Sequence, residues 1–191
     1  NDYNEIYEKA KSFYEHIDDY VWLYKNLKDY SSKKLLFAIL NNWYQYDFKT
    51  LKECMNNIFK HYFDLDIIPN CNNQVFVDIG SFIGDTTLDY IETYNNYKRI
   101  YCYEITNYTM ATLKNNLSKY ENIIYKNKAV SNENSIMYLK NSLVSSSANQ
   151  IDNSGDIEIE TVSLDNDILE KIDMIKMDIE GSEYNALIGA K

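Results

Sequence analysis

Histidine and cysteine are scarce in this chain of 191 residues, with two of the first and three of the second. Cys54, Cys71 and Cys102 have no paired spacing and form no C-x-x-C, which argues against a disulfide framework and a cysteine zinc site. They read as reduced thiols of a cytoplasmic protein. No histidine stands near any of them in a pattern that would activate a nucleophile. His16 and His61 fall inside helical patterns and read as helix-surface or packing residues. Proline occurs once, at Pro69. No apolar run approaches the roughly 20 residues that span a bilayer, and no signal-peptide pattern stands at the start. The chain opens at Asn1 without a methionine, so a slice of a longer protein is expected. Positive charge is also short: 19 Lys and Arg face 29 Asp and Glu, a formal net charge of −10. That argues against a nucleic-acid or anionic-membrane surface.

What is present is an ordinary globular composition, 45% hydrophobic and 25% charged. One domain with an extension is expected. Tyr3, Ile6, Tyr7, Ala10, Phe13, Tyr14, Ile17, Val21, Tyr24 and Leu27 follow helical spacing and predict one long amphipathic helix. Ser31 and Ser32 offer a break and a cap. The pattern resumes at Leu35, Leu36, Ile39, Leu40 and Trp43, and again at Phe48, Leu51, Met55, Ile58, Phe59 and Tyr62. Residues 1–68 are therefore expected as an N-terminal helical region. Its aromatic stripe reads as a packing face, with a ligand groove as the alternative. Pro69, Asn70, Cys71, Asn72 and Asn73 mark a loop and a boundary.

Beyond it, Val75–Ile79, Ile100–Tyr103 and Ile123–Tyr125 read as strands, with helices over Asp85–Tyr94 and around Met110, Leu113 and Leu117. Strands alternating with helices predict βαβ units and a parallel sheet. Further strand patterns follow at Ile136–Leu139 and Ile157–Leu164, flanking a Ser/Asn/Gly-rich loop, and at 173–178. A helix is expected from Ser182, with Ser182 as its cap.

The chemistry is expected where the strands end. Residues 75–85 read VFVDIGSFIGD: a strand into Asp78, a Gly80-x-x-x-Gly84 turn, then a helix. Glycines let a backbone approach a ligand, and a helix N-terminus faces it. The G-x-G-x-x-G dinucleotide fingerprint is absent, because Phe82 stands where its second glycine would be. Glu104 ends the second strand and is placed to accept hydrogen bonds from ribose hydroxyls, whether of NAD or of another nucleoside ligand. At 172–183, alternation puts Lys176 and Asp178 on one side of a strand, with Glu180 past its end and Gly181 permitting a turn. The ionisable groups there form either a salt-bridged strand end, Asp178 paired with Lys176, or an acceptor-binding centre.

In order, VFVDIGSFIGDTT, YCYEI, NKAVS, VSLDN and IDMIKMDIEGSEYNALIGAK resemble the FkbM-type methyltransferases, over about residues 62–191. The resemblance implies a Rossmann-like class I methyltransferase sheet, S-adenosylmethionine (SAM) as methyl donor, and O-methylation of a saccharide or glycan-like acceptor. By that likeness the domain covers 69–191 and is truncated at its C-terminal strands. Asp78, Gly80 and Gly84 would face the methionine end of SAM, with Ser81 and Phe82 between them where the family often has alanine and asparagine. Glu104 would hold the ribose, and Asn127 and Ala129 would lie near the adenine. Asp178, Glu180 and Glu183, with Lys176, would form the acceptor side. Asp178 is the first choice for base, with Glu180 second. If an ion binds, all-oxygen ligands favour Mg²⁺ or Ca²⁺. A non-catalytic SAM-binding module in glycan assembly and an NAD-dependent oxidoreductase are the alternatives.

Overall fold

A computed structural model describes residues 2–55, 60–63, 68, 72–140, 150–151 and 157–191. The chain divides into two compact units, Asn1–Ile58 and Phe59–Lys191. That division falls ten residues before the boundary expected at 68/69. Phe63 is the physical reason: it is buried edge-on against Phe76, Tyr90 and Tyr94 in the core of the second unit.

The first unit holds helices α1 (Asp2–Glu15), α2 (Ile17–Asn26), α3 (Tyr30–Gln45) and α4 (Phe48–Lys52). The single long helix expected at the start is two, because His16 leaves helical geometry (φ −117°, ψ 23°). Asp29, not Ser31 or Ser32, caps α3: its carboxylate accepts from Ser32 N at 2.7 Å. Asp47 caps α4 in the same way, through Lys49 N. The helix expected over 48–62 stops at Lys52. Ile58 and Phe59 lie outside the described residues, and Tyr62 is left-handed (φ 68°), which no α-helical residue adopts. Part of the aromatic stripe packs, with Phe13 stacked on Tyr20 at 6.2 Å and Trp43 edge-on to Tyr20, while Tyr7, Tyr14 and Tyr24 are exposed. It also leaves an apolar groove of about 380 Å³ among Phe13, Tyr20, Tyr24, Leu36, Phe37 and Leu40.

The second unit is built on β1 (Gln74–Ile79), α5 (Asp85–Thr93), β2 (Tyr97–Tyr103), α6 (Asn107–Asn116) and β3 (Ile123–Lys126). It continues through β4 (Ala129–Val130), β5 (Ser135–Lys140), β6 (Gln150–Ile151), β7 (Ile157–Val162), α7 (Leu164–Asp167), β8 (Met174–Met177) and α8 (Glu183–Ile188). The expected loop at Pro69, Asn70 and Cys71 lies outside the described residues, as do 141–149 and 152–156 of the Ser/Asn/Gly-rich loop. The main sheet has the order β3-β2-β1-β8, all parallel. A second sheet, β4-β7-β5-β6, is mixed.

Strand alternation splits the core in two. Phe76, Ile100 and Cys102 face Tyr90, Ile91, Met110 and Leu113 on α5 and α6. Val75, Val77, Ile79, Tyr101 and Tyr103 face the other way, onto Val130, Val162, Leu164 and Ala186. The chain leaves β1 toward β2 and β3 on one side and returns as β8 on the other. The switch point is therefore at β1, and a crevice opens at the carboxyl ends there.

Candidate active site

Three strand ends meet at that crevice. After β1, Gly80 N and Ser81 N both donate to Tyr103 O at 3.0 Å, and Asp178 N donates to Ile79 O. Gly80 (φ 77°) permits this closure. A Cβ on it would sit 2.1 Å from the Asp178 carbonyl oxygen, so the glycine makes room for backbone rather than for a ligand. A cavity of about 570 Å³ opens between the turn, the end of β2 and the segment after β8. Gly80, Phe82, Glu104, Ala129, Lys176, Asp178 and Glu180 line it, along with Asp85, Thr106, Lys128 and Ser182.

Five of the expected residues do not line it. Asp78 shares the face of Phe76 and points toward α5, fully buried. There Thr87 Oγ1 donates to its Oδ2 at 2.7 Å. Ser81 is buried and donates to Asp78 O. Gly84 (φ 89°) faces α6, where a Cβ would meet Leu113 Cδ1 at 2.8 Å. Asn127 ties the strand ends by donating to Glu104 O and Ile105 O. Glu183 turns back to accept from Ile179 N at 2.9 Å, and this, rather than the Ser182 hydroxyl, finishes the start of α8.

The expected alternative of an Asp178–Lys176 ion pair is replaced by another pair. Lys176 stands opposite Asp78 in the β1–β8 register. Its ammonium lies 3.2 Å from Asp78 Oδ1 and donates to Gly80 O at 2.9 Å. The approach to Oδ1 is off the angle of a hydrogen bond, so that oxygen is paired by charge but accepts none. Burial raises the Asp78 carboxyl above the usual range, against the opposing pull of Lys176 and Thr87. Asp178 is left free of the lysine and takes a different partner. Tyr62 O–H donates to its Oδ2 at 3.2 Å.

Glu104 is 8% exposed. Its Oε2 accepts from Phe82 N at 3.1 Å and its Oε1 from Thr106 N at 2.9 Å. Burial raises its pKa, and the Thr106 and Phe82 amides oppose that. Each oxygen keeps a lone pair for a ligand hydroxyl. Burial likewise pushes the Cys102 thiol up to about 12, so it is no nucleophile. Among the described residues no group of three or more His, Cys, Asp or Glu is placed to hold a metal ion. The Mg²⁺ or Ca²⁺ considered from sequence therefore has no such cluster to hold it among these residues.

The methyltransferase FkbM domain profile matches residues 78–191, more than half of the chain. The chain belongs to the FkbM methyltransferase family. Among solved structures, methyltransferase FkbM from Methylobacillus flagellatus KT shares the fold with a TM-score of 0.75 at 22% identity. The alignment covers 95% of this chain and 46% of that one, so the chain spans about half the length of that relative. An rRNA methylase from Streptococcus thermophilus aligns over 30% of this chain and 32% of its own, at 17% identity and a TM-score of 0.27, which supports no argument. No curated protein matches. The class I methyltransferase-like parallel sheet expected of an FkbM chain is therefore the fold observed.

Tyr62, Thr106 and Lys128 belong to the neighbourhood and escaped sequence reasoning. Lys128 was within reach, since it stands between Asn127 and Ala129, both singled out. Tyr62 carried no signal, being 116 positions from Asp178.

Proposed function

We propose that this FkbM chain transfers a methyl group from SAM to a hydroxyl oxygen of a saccharide or glycan-like acceptor. One observation carries the reading: a single cavity has Glu104 on its β2 side and Asp178 on its β8 side. The residues fit the donor. The free lone pairs of Glu104 suit a ribose diol, and Ile105, Ala129 and Val130 offer an apolar wall for a base. Bound SAM would supply a methyl group already activated on a sulfonium.

The chain's own part is positioning and proton removal. An in-line displacement needs the acceptor oxygen roughly 3–3.5 Å from the methyl carbon. A sugar hydroxyl is a poor nucleophile, and a carboxylate at its proton assists. Asp178 is assigned that task because Lys176 is committed to Asp78 and leaves it free. Glu180 is also on the wall and is the second choice. We place the chain in the cytoplasm on the unpaired spacing of its three cysteines.

The test is Asp178→Asn in the full-length protein, with tritiated-methyl SAM and a panel of neutral methyl glycosides. Turnover should fall by roughly 10²–10⁴-fold, as for loss of a general base, while SAM affinity stays near wild type. A stable Asp178→Asn protein with full turnover would remove Asp178 from the chemistry.

A further inference from the structure

Tyr62 lies outside the matched family segment, in the stretch that leads into β1. It nevertheless contacts Asp178 and Lys176, two residues of the cavity wall, and four observations converge on it. Its hydroxyl donates to Asp178 Oδ2 at 3.2 Å. Its ring lies under the Lys176 ammonium, 5.8 Å from Nζ to the centroid. Its backbone is left-handed at φ 68°, a conformation that costs a bulky side chain and persists only where its surroundings hold it. Its neighbours supply that hold: Phe63 is buried in the core, and Lys60 is salt-bridged to Asp89 and Glu92 on α5. The segment is anchored on both sides of Tyr62, and the ring, 40% exposed, is held by its contacts with Lys176 and Asp178.

Asp178 itself is exposed and sits past the end of β8, where no strand neighbour fixes its side chain. Among the described residues, Tyr62 is the only donor to its carboxylate, and Oδ1 accepts nothing. A hydrogen bond to one carboxylate oxygen narrows the directions in which the other points. We propose that Tyr62 is a positioning residue for methyl transfer: it holds Asp178 by Oδ2 so that Oδ1 faces the acceptor hydroxyl. This rests on the function proposed above. Lys176, held by Asp78 and Gly80 O and seated over the ring, fixes the second side of the same corner. Burial and the Asp178 charge raise the Tyr62 phenol, with smaller contributions from Asp78 and Asp85, so it stays a protonated donor near neutrality.

The contact and its use are tested on the full-length protein in two measurements. In the first, tyrosines are labelled with ¹³C at Cζ, and the Tyr62 signal is identified by its loss in Tyr62→Phe. In Asp178→Asn that signal should titrate at lower pH than in wild type, because the neighbouring negative charge is gone. In the second, Tyr62→Phe keeps the ring under Lys176 and removes only the hydroxyl. It should bind S-adenosylhomocysteine within twofold of wild type and melt at the same temperature. Its kcat for methyl transfer to whichever methyl glycoside the wild type accepts should fall at least tenfold, with little change in KM for SAM. An unmoved Tyr62 titration in Asp178→Asn, or wild-type kcat in Tyr62→Phe, would overturn the proposal. Wild-type protein that binds no S-adenosylhomocysteine would overturn it together with the proposed function. A normal wild type with an unaffected Tyr62→Phe overturns the positioning role alone.

Discussion

At the scale of single residues, the buried carboxylates Asp78 and Glu104 behave differently. Asp78 is a structural charge, held against Lys176 with both almost wholly out of water. Removing one partner of such a pair leaves a buried charge uncompensated, which costs about 3–5 kcal/mol. Asp78→Asn should therefore lower unfolding stability by that order, and adding Lys176→Met should recover part of it. Urea unfolding of the two single variants and the double variant measures this, and a wild-type midpoint in Asp78→Asn would contradict the pairing. Glu104 has a raised folded-state pKa. Its contribution to stability is therefore fully present below the ordinary glutamate value and is lost as pH rises through the raised one. Glu104→Gln, which cannot ionise, should compare progressively better with wild type as pH rises from 4 to 7 in urea melts. The acids at the strand ends were legible in the sequence because residue type and spacing announced them. Their directions were less so. The pleat turns Asp78 toward α5 with Phe76, and only the β1–β8 register reveals Lys176 as its partner. Nothing local announced Tyr62.

At the scale of elements, the glycine turn between β1 and α5 makes two packing allowances. Gly80 lets the Asp178 carbonyl pass, and Gly84 lets α6 close on the start of α5. Gly84→Ala meets the left-handed backbone penalty and the Leu113 methyl, together roughly 2–5 kcal/mol. It should lower the melting temperature yet leave S-adenosylhomocysteine affinity near wild type, since its Cβ points away from the cavity. Gly80→Ala should abolish binding, because its Cβ would drive the ends of β1 and β8 apart. Equal losses of affinity in the two variants would contradict this division of labour. The main strands and helices of the second unit were readable from periodicity and turn residues. The two-residue β4 and the one-turn α7 were not, being too short to show a period. The break at His16 was hidden because the apolar spacing runs through it. The false extension of α4 arose because apolar residues at helical spacing in 55–62 include Tyr62, whose place is set by packing in the second unit.

At the scale of the whole molecule, the parallel sheet has its switch point at β1 and its cavity at the carboxyl ends, which is where the βαβ pattern located the chemistry. No described helix is long and apolar enough to cross a membrane. The cavity wall carries the acids Asp85, Glu104, Asp178 and Glu180 beside Lys128 and Lys176, and the turn after β1 is not a G-x-G-x-x-G cradle. We propose that this cavity is a SAM site. Titration calorimetry of the full-length wild type and Glu104→Ala with S-adenosylhomocysteine, and of the wild type with NAD, tests it most directly. The wild type should bind S-adenosylhomocysteine and not NAD, and Glu104→Ala should weaken that binding by about 1.5–3 kcal/mol for the lost charge-assisted hydrogen bonds. Binding of NAD without S-adenosylhomocysteine, or an undiminished affinity in Glu104→Ala, would contradict the account.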